Sequence, residues 1–236
     1  MNQRFPRPES RPTGWQNWRD LLFVHWRVPV AALRALVPSQ LELDLWEGQA
    51  MVGVVPFAMR DVRPAWLPSF MALDFLETNT RTYVTYRGRP GVYFFSLEAA
   101  SLLAVKAARW GWGLPYFHAD MTMERDGDSI VYESMRRGGN AEHRVRYRPG
   151  KLLGPSAEGT LEYFLLERYL LFSIKKDRVF EGQVEHVPYP AQEVELVSIS
   201  DGLVAAAGLT PEAEPCAVHY ATGVDVEVFG PSEVPA

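Results

Sequence analysis

The sequence predicts a β-rich α+β domain in which a strongly curved antiparallel sheet or a barrel is covered by a few helices. Residues 119–147 alternate apolar and polar side chains over three successive segments, the pattern of strands with one wet face. Asp126-Gly127 and Gly138-Gly139-Asn140, which separate these segments, are turn sequences. Strand-like segments also outnumber helical ones along the chain. These observations favour strands that pair mainly with their sequence neighbours.

The first half of the chain contains strands separated by turn signals and two helices. Pro29 opens a short helix and Pro38 ends it, since proline is tolerated only in the first helical turn. Gly111 and Gly113 end the second helix. We predict strands at 18–27, 41–46, 50–57, 73–86 and 92–97, and helices at 29–36 and 99–110.

The second half continues this organisation after the three-stranded meander. Thr160 is a candidate N-cap for a helix over 160–171, and Lys176-Asp177 lies at the turn of a hairpin. We predict further strands at 193–199 and 216–229, with a short helix at 203–207 between them. Residues 15–229 form one predicted domain, flanked by a flexible arm at 1–14 and a tail at 230–236.

Composition excludes several classes of partner. The single cysteine, Cys216, excludes an intrachain disulfide and fits a reducing compartment, so we predict a cytoplasmic protein. No stretch approaches the ~18 apolar residues of a membrane span. The net charge of -5 argues against nucleic acid as a partner. Arg144, Arg146 and Arg148 alternate along one strand, and we expect them on its solvent face.

Familiar catalytic and cofactor motifs do not occur. The chain has no phosphate-binding loop, no dinucleotide-binding glycine motif and no nucleophile elbow. Its five histidines are scattered without the spacing of a metal-binding pair, and no lysine lies in an apolar run. The sequence therefore predicts neither a metal nor a cofactor.

The strand predicted at 73–86 carries the most informative polar pattern. Because side chains alternate along a strand, Glu77, Asn79, Arg81 and Tyr83 share one face. A solvated outer face is one interpretation, and periodicity alone favours it. If the face points inward, Arg81 would clamp a carboxylate or similar oxyanion. Glu77 would then act as a general acid or base, with its pKa shifted in opposite directions by burial and by Arg81.

Two further candidates involve histidine and tyrosine. Tyr116 and His118 share a face if a strand begins there, so that Tyr116 would donate a hydrogen bond or proton and His118 would titrate near neutral pH. Packed aromatic residues at the start of a strand are the alternative. His25 lies on the same face as Leu21 and Phe23, where a histidine is either a ligand-orienting group or a hydrogen-bonded core residue.

Ordered sequence blocks over residues 15–228 resemble one protein family. It is the uncharacterised bacterial family called domain of unknown function 2071, which belongs to the acetoacetate decarboxylase-like superfamily. The resemblance implies a cone-shaped antiparallel β-barrel that encloses a pocket. The blocks are Phe23-x-His25-Trp26-x-Val28-Pro29, Val52-Gly53-Val54-Val55-Pro56-Phe57, Glu77-x-Asn79-x-Arg81-Thr82-Tyr83-Val84, Gly91-Val92-Tyr93-Phe94-Phe95-Ser96-Leu97, Leu114-Pro115-Tyr116, Phe164-Leu165-x-Glu167-Arg168-Tyr169 and His186-x-Pro188-Tyr189-Pro190.

The same resemblance implies that one chemistry is missing. Acetoacetate decarboxylases carry a Gly-x-Pro-Lys-Lys segment that supplies the Schiff-base lysine. The similar segment here is Gly113-Leu114-Pro115-Tyr116-Phe117, which has Tyr116 and Phe117 in place of the two lysines. A phenol forms no iminium with a keto acid. Glu77 resembles the pocket glutamate that the decarboxylases place on an earlier strand.

We therefore predict a pocket that binds or transforms a small organic acid or carbonyl compound without a Schiff-base lysine. Glu77 and Tyr116 are the predicted catalytic residues of a general acid–base lyase, hydrolase or isomerase. A non-catalytic binder or sensor and an oligomeric interaction module, with a homo-oligomer as partner, are the alternatives, and fold analogy does not choose among them. The predicted ligand-binding residues are Arg81, Asn79, His25, Tyr83 and His118.

Overall fold

The structure, a computed structural model, describes residues 5–234 and is built around a single large β-sheet. Twelve strands lie in this sheet within the described residues, together with four α-helices and a short 3-10 helix at Ser69–Met71. The prediction of a β-rich chain with few helices is confirmed. The strands are β1 (Gly14–Val28), β2 (Glu42–Leu43), β3 (Ala50–Pro64), β4 (Leu73–Tyr86), β5 (Arg89–Ala99), β6 (Tyr116–Asp126), β7 (Ser129–Arg136), β8 (Glu142–Gly154), β9 (Leu170–Lys175), β10 (Arg178–Glu185), β11 (Ala191–Asp201) and β12 (Ala217–Glu233), and the helices are α1 (Val30–Leu36), α2 (Leu102–Gly111), α3 (Leu161–Leu166) and α4 (Leu203–Ala206).

The sheet closes into a ring because its order brings distant strands together. The strand order is β10-β9-β5-β6-β7-β8-β11-β12-β1-β3-β4-β2, and β4 also pairs with β5 and β10 with β12. All pairs are antiparallel, as predicted, except β5–β6 and β5–β9, which are parallel. Strands β5 and β6 are joined through α2, since a parallel neighbour requires a crossover connection.

The structure differs from the predicted elements at several places. Strand β2 is shorter than the predicted 41–46, and β3 continues to Pro64 instead of ending at residue 57. Helix α3 begins after Thr160, whose side chain caps it by accepting from the Tyr163 N–H, but it ends at Leu166 rather than at residue 171. Residues 170–175 form the strand β9. A short apolar run fits both the helical and the strand periodicity, and it is the pairing with β10 that makes this run a strand. Residues 230–233 belong to β12, in which Ser232 and Glu233 pair with β10. Residues 1–4 of the predicted arm, and 235–236, lie outside the described residues.

Strands β1 and β3 bury both of their faces. Phe23 packs in the apolar cluster inside the ring, whereas its neighbour Val24 packs in a second cluster that is shared with β7, β8 and α1. The outer face of the meander is polar, as predicted, because Arg144, Arg146 and Arg148 pair there with acidic side chains. The continuous apolar runs of β1 and β3 therefore reflect two packed layers rather than one.

Candidate functional site

The ring encloses a cavity of about 490 Å³, a size within the ~300–1,000 Å³ range of small-molecule pockets. Residues of α2, among them the exposed Trp110, line it together with the ends of β1, β3 and β12, and this part is called its mouth. The wall contributed by β1, β3 and β5 is mostly apolar, so the polar groups of the cavity lie in apolar surroundings. The principal lining residues of the wall and mouth are Trp18, Leu21, Phe23, Val55, Phe57, Met59, Leu73, Phe75, Glu77, Asn79, Arg81, Leu97, Ala104, Ala108, Trp112, Tyr116, Arg168, Tyr169 and Tyr189.

Strand β4 directs the polar residues into this cavity. It pairs with β3 along one edge and with β5 along the other, so neither of its edges is free. Glu77, Asn79 and Arg81 line the cavity and are only 3%, 6% and 7% exposed. The threonines that alternate with them are completely buried on the opposite face. The polar face of β4 therefore points into the cavity and not to solvent.

Glu77 forms a hydrogen-bonded pair with Tyr116. The Tyr116 hydroxyl donates to Glu77 Oε2 over 2.9 Å, although the two residues are 39 positions apart. Burial raises the pKa of Glu77 to about 8, the Tyr116 hydrogen bond opposes this rise, and the charge of Glu98 adds to it. The sequence interpretation assigned the lowering of this pKa to Arg81, but the Tyr116 hydroxyl supplies it. The carboxyl is therefore poised to take up or release a proton slightly above neutral pH.

Arg81 places a positive charge deep in the cavity. Its Nη2 donates to the Leu165 carbonyl oxygen over 3.1 Å, and its guanidinium carbon lies 5.5 Å from the centre of the Phe23 ring. Its Nε is buried without a hydrogen-bond partner. Within residues 5–234, no carboxylate forms an ion pair with Arg81. A buried guanidinium in this state favours an anionic ligand, because an unpaired buried charge is costly.

Arg168 is a second cavity-lining arginine, which the sequence analysis did not identify as a site residue. Its Nη1 pairs with Asp44 Oδ2 over 2.6 Å and its Nε donates to the Phe164 carbonyl oxygen. Its Nη2 is buried without a hydrogen-bond partner. Burial lowers the pKa of Arg168, and Asp44 counteracts this effect. The only signal in the sequence is its position in the block that begins at Phe164.

Tyr83 and His25 lie behind the lining rather than in it. The Tyr83 hydroxyl donates to the Leu165 carbonyl oxygen over 2.9 Å, and His25 Nε2 lies 2.7 Å from the same hydroxyl. Burial lowers the pKa of His25 well below its usual value, and the charges of Arg81 and His219 lower it further. A neutral His25 therefore orients Tyr83, which contacts the same carbonyl oxygen as Arg81.

The remaining candidates lie elsewhere. His118 is half-buried and is not among the residues that line the cavity, although Tyr116, two positions earlier, is. Lys106 is exposed on α2, and Lys175 Nζ donates to the Gly111 carbonyl oxygen over 3.3 Å. Within residues 5–234, no group of three or more His, Cys, Asp or Glu side chains could hold a metal ion. The same residues contain no helix with the length and hydropathy of a membrane span.

The raised pKa of Glu77 predicts a pH-dependent stability. Between the ordinary value of about 4.5 and the folded value of about 8, the folded state binds more protons at Glu77 than the unfolded state. Its contribution to the free energy of unfolding is therefore fully present below pH 4.5 and is lost as the pH rises through 8, by at most about 1.4 kcal/mol per pH unit.

Urea denaturation at pH 5, 6, 7 and 8 measures this effect. We expect the free energy of unfolding of the Glu77→Gln variant to fall less steeply with pH than that of the wild type, because glutamine does not titrate. The matched control is Glu133→Gln, which changes an exposed carboxylate paired with Arg144 and should keep the wild-type slope. Parallel pH dependences for wild type and Glu77→Gln would contradict the buried, protonated state of Glu77.

Comparisons with known proteins identify the family. A family model for DUF2071, described as an uncharacterized conserved protein, matches residues 15–225. The chain belongs to the DUF2071 family. A similar curated relative is the uncharacterized protein YqjF of Bacillus subtilis (strain 168), which is 42% identical over 234 residues and covers 96% of each chain. The resemblance derived from the sequence blocks is thereby confirmed.

Solved structures similar to this DUF2071 chain have the acetoacetate decarboxylase-like fold. Acetoacetate decarboxylase from Legionella pneumophila has a TM-score of 0.64 at 16% identity, covering 100% of this chain and 94% of its own. The enduracididine biosynthesis enzyme MppR, complexed with pyruvate, has a TM-score of 0.62 at 16% identity, covering 95% of this chain and 91% of its own. At such low identity the likeness establishes the fold alone.

Proposed function

We propose that the cavity binds a small organic acid or carbonyl compound and exchanges a proton on it without a Schiff-base lysine. Arg81 holds the anionic group and Asn79 orients the ligand, while Tyr83 and His25 support Arg81 from behind the lining through the Leu165 carbonyl oxygen. Glu77 is the proton acceptor and donor, and Tyr116 holds its carboxyl in place. The observation that carries the proposal is the 2.9 Å hydrogen bond between Tyr116 and Glu77 inside the cavity that Arg81 also lines.

The proton transfer itself balances simply. The ionised Glu77 carboxylate removes a proton from a carbon atom next to the ligand carbonyl and becomes a carboxylic acid, while the ligand becomes an enolate. Returning the same proton regenerates the ligand, and a deuteron from D2O in its place leaves a label. The cavity around the reacting groups is apolar, which strengthens electrostatic interactions with the enolate oxygen.

Deuterium exchange tests this function. Methyl-ketone acids that include pyruvate and longer homologues are incubated with the protein in D2O, and proton NMR follows the signals next to the carbonyl. We expect the protein to accelerate their loss. Binding without exchange would replace this proposal with the non-catalytic binder, and neither binding nor exchange for any acid would remove the organic-acid pocket altogether.

Borohydride trapping tests the absence of Schiff-base chemistry. We expect no covalent adduct when the protein is treated with acetoacetate or pyruvate and sodium borohydride, because the cavity-lining residues of the described chain include no lysine. Intact-mass spectrometry detects such an adduct. A mass increase on a lysine-containing peptide, Lys175 or Lys106 in particular, would contradict the proposal.

The partners and location stay predictions. A homo-oligomer is supported by Trp66, Phe70 and Trp110, which are 80%, 86% and 92% exposed. Cys216 is a free cysteine, which fits a reducing compartment and supports the prediction of a cytoplasmic location.

A further inference from the structure

The anion-binding and proton-transfer groups of this cavity lie at different depths. Glu77 and Arg81 are four residues apart on β4, which separates their Cα atoms by about 13 Å at about 3.3 Å per residue. Asn79 lies between them on the same face. Glu77 and Arg81 are therefore not neighbours on this face, and a three-carbon keto acid, whose reacting carbon is separated from its carboxylate only by the carbonyl carbon, is short for a ligand that contacts both.

The two side chains have different partners. The Arg81 guanidinium lies by the Tyr83 and Phe23 rings and donates to the Leu165 carbonyl oxygen. The Glu77 carboxyl is held by Tyr116 instead, and its pKa responds to burial, Tyr116 and Glu98. The two polar groups therefore act on separate parts of any ligand that contacts both.

The cavity beyond Glu77 is mostly apolar, and Thr13, Gln16 and Arg63 line only its far end. Phe75 and Leu73 precede Glu77 on the same face of β4, and Met59 pairs with Phe75 from β3. Ala104 and Ala108 of α2 line the part of the cavity called its mouth. The cavity volume of about 490 Å³ lies within the ~300–1,000 Å³ range of pockets that hold drug-sized ligands. Pyruvate, with six heavy atoms, would leave most of this space unfilled.

We propose that the ligand is an elongated oxo carboxylate whose carbonyl lies several bonds from its carboxylate and continues into an apolar tail. The carboxylate binds Arg81 at the floor, the carbon next to the carbonyl reaches Glu77, and the tail lies against Phe75, Met59 and α2. This inference rests on the proposed function, since it takes Arg81 as the anion anchor and Glu77 as the proton acceptor.

A homologous series of methyl-ketone acids tests the proposed distance between the carboxylate and the carbonyl of the ligand. Pyruvate, 4-oxopentanoate, 6-oxoheptanoate and 8-oxononanoate keep both groups and change only the distance between them. We expect dissociation constants, measured by isothermal titration calorimetry, to fall and deuterium exchange to accelerate toward the longer acids. If pyruvate binds most tightly and exchanges fastest, the elongated ligand is wrong while the proposed function stands. If no acid binds, the proposed function itself fails.

The tail is tested with 6-oxoheptanoate and 6-oxododecanoate, which differ by five methylene groups beyond the carbonyl. We expect affinity to rise by up to about fourfold for each buried methylene until the mouth is filled. Equal affinity for the two acids would contradict the proposal that the ligand has an apolar tail.

Ala104→Phe should remove the higher affinity for 6-oxododecanoate by filling the mouth, while 6-oxoheptanoate still binds. The matched control is Leu103→Phe, since Leu103 is 64% exposed and does not line the cavity. Ala108→Leu is a smaller change at the same mouth, and unchanged thermal unfolding of the unliganded variants excludes misfolding as the cause. Retained tail selectivity in folded Ala104→Phe and Ala108→Leu proteins would contradict the assigned position of the tail.

Discussion

Replacing Glu77 with glutamine is expected to slow protein-catalysed deuterium exchange by about 10²- to 10⁴-fold, the usual contribution of a positioned acid or base. Glutamine keeps the size of the side chain and can accept the Tyr116 hydrogen bond, but it cannot remove a proton. Ligand binding should change little, because Arg81 anchors the anion. Proton NMR in D2O measures the rates, and calorimetry measures binding in the same samples.

The pH profile supplies an independent readout for the same variant. Only the ionised form of Glu77 accepts a proton, so the wild-type exchange rate should rise with pH and level off above the pKa of about 8. Tyr116→Phe removes a hydrogen bond that lowers this pKa, and the profile should move to higher pH. Glu133→Gln is the control for an exposed carboxylate and should leave both rate and profile unchanged. Exchange at the wild-type rate in Glu77→Gln would exclude Glu77 as the base.

Replacing Arg81 with methionine is expected to weaken binding of a carboxylate ligand by at least about thirtyfold. Loss of one partner of a buried charge pair typically costs 2 kcal/mol or more, and each 1.4 kcal/mol corresponds to a factor of ten. Methionine fills much of the same volume next to Phe23 and removes the charge. Because Arg81 has no ion-pair partner in the described part of the chain, the unliganded variant should unfold at no lower temperature than wild type.

Two further variants separate charge from geometry at this position. Arg81→Lys keeps the charge but not the planar fork, so binding should be intermediate between wild type and Arg81→Met. Arg178→Met makes the same charge change on the surface, where Arg178 pairs with Glu233, and should not alter affinity. Wild-type affinity in Arg81→Met would exclude Arg81 as the anion anchor.

Much of the fold could be predicted because its signals are local. The boundaries of β4 match the predicted 73–86 at both ends, and the hairpin at Lys176-Asp177 forms with positive φ angles at both residues. The predicted helix at 160–171 was too long, because residues 170–175 fit either period and only their pairing with β10 decides. The parallel position of β6 beside β5 likewise depends on the crossover through α2 and not on the pattern of either strand.

For the candidate site, the sequence by itself determined that Glu77, Asn79 and Arg81 share one face of a strand, because alternation is a property of the local backbone. It did not determine which way that face points, since the ring encloses one face of β4 and packing buries the threonines of the other, so that neither face is left to solvent. The contact of Tyr116 with Glu77 and the position of Arg168 in the cavity were decided only by tertiary structure. These contacts join residues far apart in the chain, and no local period encodes how a closed sheet brings them together.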